Sequence, residues 1–253
     1  MRPLLHVGIA CLLFALTACT TPVYDLRSDP GFTYAPLLAG GLAIGGVAAQ
    51  LEPLSPAVAT QEAQVLAQAV AAERPALRIV GSEAVGRALG VPRQTRLQDA
   101  FGGGPLPGDV FSQLAPLGAL ARYVVYARLE RDEVFQRQGT RVLDLPDPVY
   151  EARDRDGHRI WVPLYDRVEV IDVFETVRRL VVYFEVLDLH DARVVWSGRI
   201  EKSGSHSNDF SRGVGPAWSP GFPGVGVFPP PPQAAGLLEA AYRGFAENLP
   251  KVP

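Results

Sequence analysis

The stretch Asp188-Leu189-His190-Asp191-Ala192-Arg193-Val194-Val195-Trp196-Ser197 sets a short polar turn between two alternating segments. Before it, Leu180, Val182, Phe184 and Val186 alternate with Arg179, Val181, Tyr183, Glu185 and Leu187. After it, Val194, Trp196 and Ile200 alternate with Arg193, Val195, Ser197, Arg199 and Glu201. A period of two is that of strands whose side chains point alternately to the two faces of a sheet, so this region reads as a β-hairpin. A third segment, Ala121 to Glu130, repeats the pattern: Tyr123, Val125, Ala127 and Leu129 alternate with Arg122, Val124, Tyr126, Arg128 and Glu130. Residues 165–178 are also strand-like, and joined to 179–188 they exceed one straight strand of ordinary length. A bend or bulge is therefore expected near Ile171-Asp172, with the first part forming an arm against residues 129–136.

Outward from these strands the period changes. Residues 56–73 read as a helix with Pro56 near its start. Val58, Val65, Leu66, Ala69 and Val70 form its apolar face, with Gln61, Glu62, Gln64 and Gln68 mainly outside it. Leu77 to Val80 is a short strand. Ser82 is expected to cap a second helix ending at Leu89-Gly90. Gly102 to Gly108 is a loop, and a short helix follows near 109–117. The run 37–49, bracketed by Pro36 and Pro53, contains Gly41-x-x-x-Gly45; it is either a buried first strand or a membrane-associated or flexible glycine segment. Beyond Lys202, residues 203–232 read as a Pro/Gly-rich loop. Its Pro229-Pro230-Pro231-Pro232 is a stiff spacer or a docking peptide. Residues 233–248 return to helix, with Leu237, Leu238, Ala241, Tyr242 and Phe245 on one side. The order predicts an α+β fold: an antiparallel-rich sheet with helices packed on one face, an extended hairpin arm and a C-terminal helix.

The amino terminus has its own logic. Arg2 precedes the mostly apolar run Val7 to Leu16, too short to span a bilayer and ordered like a secretory signal. Leu16-Thr17-Ala18-Cys19 resembles the bacterial lipoprotein signal. The resemblance implies removal of residues 1–18 and lipid on Cys19, the new amino terminus. The chain has two cysteines; Cys11 would leave with the signal, so no internal disulfide remains. Several acyl chains on one cysteine, as that family implies, anchor stably where one does not. Thr20 rather than aspartate follows Cys19, which by similarity to lipoproteins of diderm bacteria implies the outer membrane, facing the periplasm. Residues 19–35, rich in turn formers, read as the lipidated terminus and a tether, and 36–253 as a single periplasmic domain with an insertion at 137–164. Hydrophobic residues at 47% and charged ones at 20% permit a packed core. A net charge of −3 gives no global basic field, which excludes nucleic acid as a partner.

The 188–197 hairpin resembles one shared by bacterial envelope lipoproteins, including the TolB amino-terminal domain, penicillin-binding-protein activators and the curli secretion lipoprotein. Their pattern is an apolar strand, Asp, a turn usually holding Gly, a basic residue, two aliphatics and Trp. Ala121 to Leu129 resembles their preceding strand. Ala192 stands where those proteins usually have glycine, Arg122 where they have an acidic residue, and 137–164 has no counterpart. The resemblance implies a non-catalytic adaptor or regulator of an envelope complex. The alternatives are a self-assembling structural or secretion component, and then a periplasmic hydrolase.

Chemistry-bearing motifs are sparse. His158 and His190 lie in polar turns and His206 in a Ser/Gly stretch, without the paired spacing of a zinc site. Ser205-His206-Ser207 has no nucleophile elbow around it. Asp154, Asp156 and Gly157 lack the later acidic ligands of a calcium loop. Glu169 with Asp172 or Glu175 reads as solvated ion pairing with nearby arginines. No catalytic residue, metal or cofactor is therefore expected. What remains is surface. Helices are expected over Val125, Val182, Phe184, Val194 and Trp196. The opposite sheet face would present Tyr126, Arg128, Tyr183, Glu185, Arg199 and Glu201 to a partner, since Tyr and Arg are enriched at interface hot spots. Trp161 and Tyr165 form a second candidate patch. The expected partners are the membrane, through lipid on Cys19, and an envelope protein or further copies of this chain.

Overall fold

A computed structural model describes residues 21–106, 108–216 and 226–251. The signal segment 1–18 and Cys19 lie outside them. The chain divides into two compact units: one holds residues up to Arg131, Leu180–Lys202 and the chain from Ala235 on, the other Asp132–Arg179 and Ser203–Ala234. The elements are β1 (Tyr24–Ser28), α1 (Tyr34–Gly40), β2 (Leu42–Ala49), α2 (Pro56–Glu73), β3 (Ile79–Val80), α3 (Ser82–Leu89), α4 (Val91–Gly103) and α5 (Val110–Leu114), which runs into a 3-10 turn. Then come β4 (Tyr123–Leu145), β5 (Val149–Arg153), β6 (Arg159–Pro163), β7 (Arg167–Asp188), β8 (Arg193–Pro216) and α6 (Ala234–Asn248). The fold is α+β, as expected, with a C-terminal helix. No described helix is long and apolar enough to cross a membrane.

In the first unit the strand order is β1-β8-β7-β4-β2-β3. The glycine-containing run therefore ends in a buried strand: β2 lies parallel to both β3 and β4, and seven of its eight residues are buried. Gly45 is required there by close approach, because a Cβ would stand 2.4 Å from the Tyr126 ring. Segment 24–28, expected within the tether, is instead an edge strand antiparallel to β8. Phe32 beyond it is buried against Tyr123, ring centroids 5.1 Å apart.

Helices cover both faces, which corrects the expectation of one. On the first face Phe184 stacks on Phe245 of α6 at 4.6 Å, and Trp196 meets Phe245 edge-on at 5.2 Å. Burying each such ring contributes roughly 2–3 kcal/mol. Val194 departs from its expected burial and is 43% exposed. On the second face Val85, Leu89, Leu97, Phe101 and Leu114 pack against Val124, Tyr126 and Leu187. The connection β2–α2–β3 supplies the first layer, and the long return from β3 to β4 supplies the second. Helix α4 is invisible to a periodicity reading because Leu97 and Phe101, one turn apart, are its main core contributions. Gly81, not Ser82, occupies the N-cap of α3, one residue earlier than expected.

In the second unit β7 runs uninterrupted through Ile171-Asp172. Residues 203–216 are strand rather than loop. The proline run is docked rather than a free spacer. Thr176 Oγ1 donates to the Pro229 carbonyl at 2.6 Å, Arg178 to Pro232 at 3.3 Å and Asn208 to Val227 at 2.8 Å. Proline offers a carbonyl acceptor but no N–H donor, so donors must come from the neighbouring strands. Phe174 fixes the same segment edge-on to Phe228 at 5.3 Å. Part of the insertion is the antiparallel pair β5–β6.

Candidate binding surfaces

Strand order sets Arg199 of β8, Tyr183 of β7 and Arg128 of β4 side by side on the second sheet face. Both guanidinium groups lie over the Tyr183 ring, Arg128 at 4.9 Å and Arg199 at 5.1 Å. Arg128 also donates to the Phe101 carbonyl at 2.8 Å and to Glu130 at 2.8 Å. Glu130, two residues along β4 and so on the same face, accepts two bonds from Arg199 at 2.6 and 3.1 Å. Arg199 reaches on to Asp25 of β1 at 2.8 Å. Tyr183 donates weakly to Glu185 at 3.4 Å.

This network ties α4 to three strands and to the edge strand. It brings four sequence candidates together, Arg128, Tyr183, Glu185 and Arg199, but mostly inside the protein. Tyr126 (0% exposed), Arg128 (4%) and Glu185 (1%) are buried, which corrects their assignment to an open partner surface. Helices α3 to α5 occupy the face where a partner was expected. Tyr183 and Arg199 are half-buried and border a cleft of about 560 Å³ or its neighbour, shared with Arg27, Pro105 and Ser197. Burial pushes the Glu185 carboxyl up, only partly offset by the Tyr183 hydroxyl and Arg128. Burial acts the same way on Glu130, but hydrogen bonds from Arg199 and Arg128 outweigh it and hold that carboxyl below its ordinary value. Burial alone drives the Tyr126 hydroxyl well up. Glu130 and Asp25 were missed by the sequence reading. The signal for Glu130 was its i+2 spacing from Arg128; Asp25 carried none until β1 was placed.

The second patch stands differently. Trp161 on β6 is 66% exposed, opposite Glu151 of β5. Tyr150, Ile160 and Leu164 are also exposed, and Tyr165 is half-buried. A two-stranded ribbon is marginal in water, and this one leaves large apolar side chains uncovered. In its turn, ligand atoms of Asp154, Asp156 and His158 lie within 4.8 Å of one another. Asp154 Oδ1 already accepts the N–H groups of Asp156 at 2.9 Å and His158 at 2.8 Å, closing the turn.

The remaining candidates are dispersed. Asp172, 0% exposed, accepts two bonds from Arg212 at 2.9 and 2.7 Å, so it is a buried ion pair rather than a solvated one. Glu175 pairs with Arg137. His206 Nδ1 lies 3.0 Å from the Pro230 carbonyl, and His190 Nδ1 lies 2.8 Å from Asp191.

The described residues thus define an α+β protein with a two-faced mixed sheet and a second, strand-rich unit. No protein-family model matches the chain, and no curated protein matches it. Among solved structures it is similar to the PelC dodecamer from Paraburkholderia phytofirmans: 13% identity, 91% of this chain and 99% of that one covered, TM-score 0.40. It is also similar to the LpoB C-terminal domain from Salmonella enterica, at 12% identity, 69% and 87% coverage and TM-score 0.32. Lipoprotein GNA1162 from Neisseria meningitidis is similar at 10% identity, 66% and 83% coverage and TM-score 0.32.

Proposed function

We propose that this chain is a lipid-anchored envelope lipoprotein, held at the outer membrane through Cys19, that serves as a non-catalytic periplasmic adaptor or regulator. The observation that carries the reading is the exposed β5–β6 ribbon with Trp161 at its centre. The arginines and carboxylates of the sheet face are engaged internally, whereas this ribbon offers aromatic and aliphatic side chains of the kind that anchor protein interfaces. Lipid on Cys19 would supply the address, and the ribbon the contact.

The test is in-cell crosslinking and membrane purification of tagged full-length protein beside Cys19→Ala and Trp161→Ser forms. The expected result is an envelope protein recovered with the parent and lost with both variants. Equal soluble behaviour of parent and Cys19→Ala would overturn the anchor, and undiminished capture by Trp161→Ser would overturn the ribbon. A second reading, assembly of identical copies, is favoured by the long run of β4 beyond Leu129, where its described ladder with β2 ends and one strand edge is left open, since open edges template further pairing. Recovery of homo-oligomers alone, with a native mass many times that of the monomer, would select it.

A further inference from the structure

Thr21 is pinned to the folded body. Its N–H and hydroxyl donate to Glu247 at 3.2 and 2.9 Å, Lys202 donates to its hydroxyl at 3.0 Å, and Asn248 donates to its carbonyl at 2.9 Å. Its side chain fills the space beside Gly244, where a Cβ would stand 2.8 Å from Thr21 Cγ2. The seat is thus built from the last turn of α6 and from β8.

Only Thr20 separates this seat from Cys19. Two residue steps span at most about 7 Å. The polar layer on each side of a bilayer is of similar depth, roughly 5–8 Å. A lipidated Cys19 at that layer therefore leaves no length for a tether, and the surface around Thr21 must lie at the headgroups. The composition of 22–35 concealed this, because its turn formers follow the pinned residue rather than precede it.

That surface has a definite make-up. Arg74, at the end of α2, donates to the carbonyls of Ala246, Glu247 and Leu249, so the ends of α2 and α6 meet beside the Thr21 seat. Between them opens an apolar pocket of about 250 Å³, lined by Tyr34, Leu37, Leu38, Pro75, Leu77 and Pro250 among others. Leu38 is 38% exposed at it. We infer that this pocket and the adjoining end of α6 form the membrane-facing surface of the protein, with a phospholipid bilayer as its occupant. The pocket admits apolar groups at the interface, as shallow membrane-contacting surfaces do. The inference rests on Cys19 carrying lipid.

The test uses the full mature protein, acylated in cells and reconstituted in vesicles of equal parts phosphatidylethanolamine and phosphatidylglycerol with brominated acyl chains. A fluorophore is placed at Leu38→Cys, with Ala76→Cys on the pocket rim as a second site, and at Val91→Cys on the α3–α5 side as the control. In the acylated protein the introduced cysteine is the free thiol. Quenching several-fold stronger at positions 38 and 76 than at 91 is expected. A Gly/Ser insertion of about 12 residues between Thr20 and Thr21 should erase the difference, since such a linker spans some 20 Å. Equal quenching at all sites, or quenching indifferent to the insertion, would overturn the inference. Failure of the anchor itself would be seen separately, as an intact mass without acyl groups and protein absent from the vesicle fraction.

Discussion

Arg122 grips Asp188 with two nitrogens, Nε at 2.9 Å and Nη2 at 2.7 Å from Oδ2, and so locks the start of β4 to the end of β7. The same carboxylate accepts the His190 N–H at 2.9 Å and that of Asp191 at 3.3 Å, so one side chain shapes the hairpin turn and holds the neighbouring strand. Arginine at 122 has its partner here. Arg122 is partly solvated but Asp188 is not, so Arg122→Ala is expected to cost about 2 kcal/mol, less than a fully buried pair. Denaturant unfolding checks it, and a double cycle with Asp188→Asn should show strong coupling.

Ala192 holds φ at +50°, the left-handed region that side chains with a Cβ resist. The turn therefore holds at residue 192 a conformation that glycine adopts without steric cost. Ala192→Gly is expected to stabilise the protein by about 0.5–1 kcal/mol, the relief of strain exceeding the added freedom of the unfolded chain. The readout is a raised unfolding midpoint with an unchanged denaturant slope.

Gly45→Ala is expected to cost about 2–3 kcal/mol, because the new methyl would meet the Tyr126 ring on backbone held between two strands. A compensating Tyr126→Leu in the same chain should recover part of that loss in thermal unfolding.

Glu185 and Glu130 share a sheet face but should titrate stability in opposite directions. A carboxyl raised in the folded state contributes below its unfolded value, and the contribution is lost as pH rises through the folded one. Glu185→Gln should thus raise the unfolding midpoint at about pH 8 and lose that advantage toward about pH 4. A depressed carboxyl contributes above its unfolded value, and the contribution is lost as pH falls through the folded one. Glu130→Gln should cost about 2 kcal/mol near neutrality and progressively less in acid. Melting curves across that pH range test both signs.

Trp161→Ser should change stability by less than about 0.5 kcal/mol, since the ring is largely solvated, while reducing partner capture. Near-unchanged unfolding beside lost crosslinking separates a contact residue from a structural one.

The legible parts of the fold were those with a strong local period. Helix α2 spans Pro56 to Glu73 as read, and Phe184, Trp196 and Phe245 meet on the face assigned to them. The strands at the 188–197 turn were legible because buried and polar positions alternate there. Residues 203–216 were not: Ser, Gly, His and Asn carry no strand preference, and the segment extends because neighbouring β7 supplies its ladder. The candidate surface failed for a related reason. Alternation assigns Tyr126, Arg128 and Glu185 correctly to a face of their own, but says nothing of what lies over that face.

The sequence by itself determined the α+β class, the hairpin and its parity, and helices α2 and α6, because each rests on residues near one another along the chain. Tertiary structure alone decided that Arg128 is buried under α4, that Asp25 completes its network, that the proline run is docked and that Thr21 is seated on α6. Those outcomes depend on partners dozens to hundreds of residues away, where satisfying a buried charge or an unpaired carbonyl outweighs any local preference.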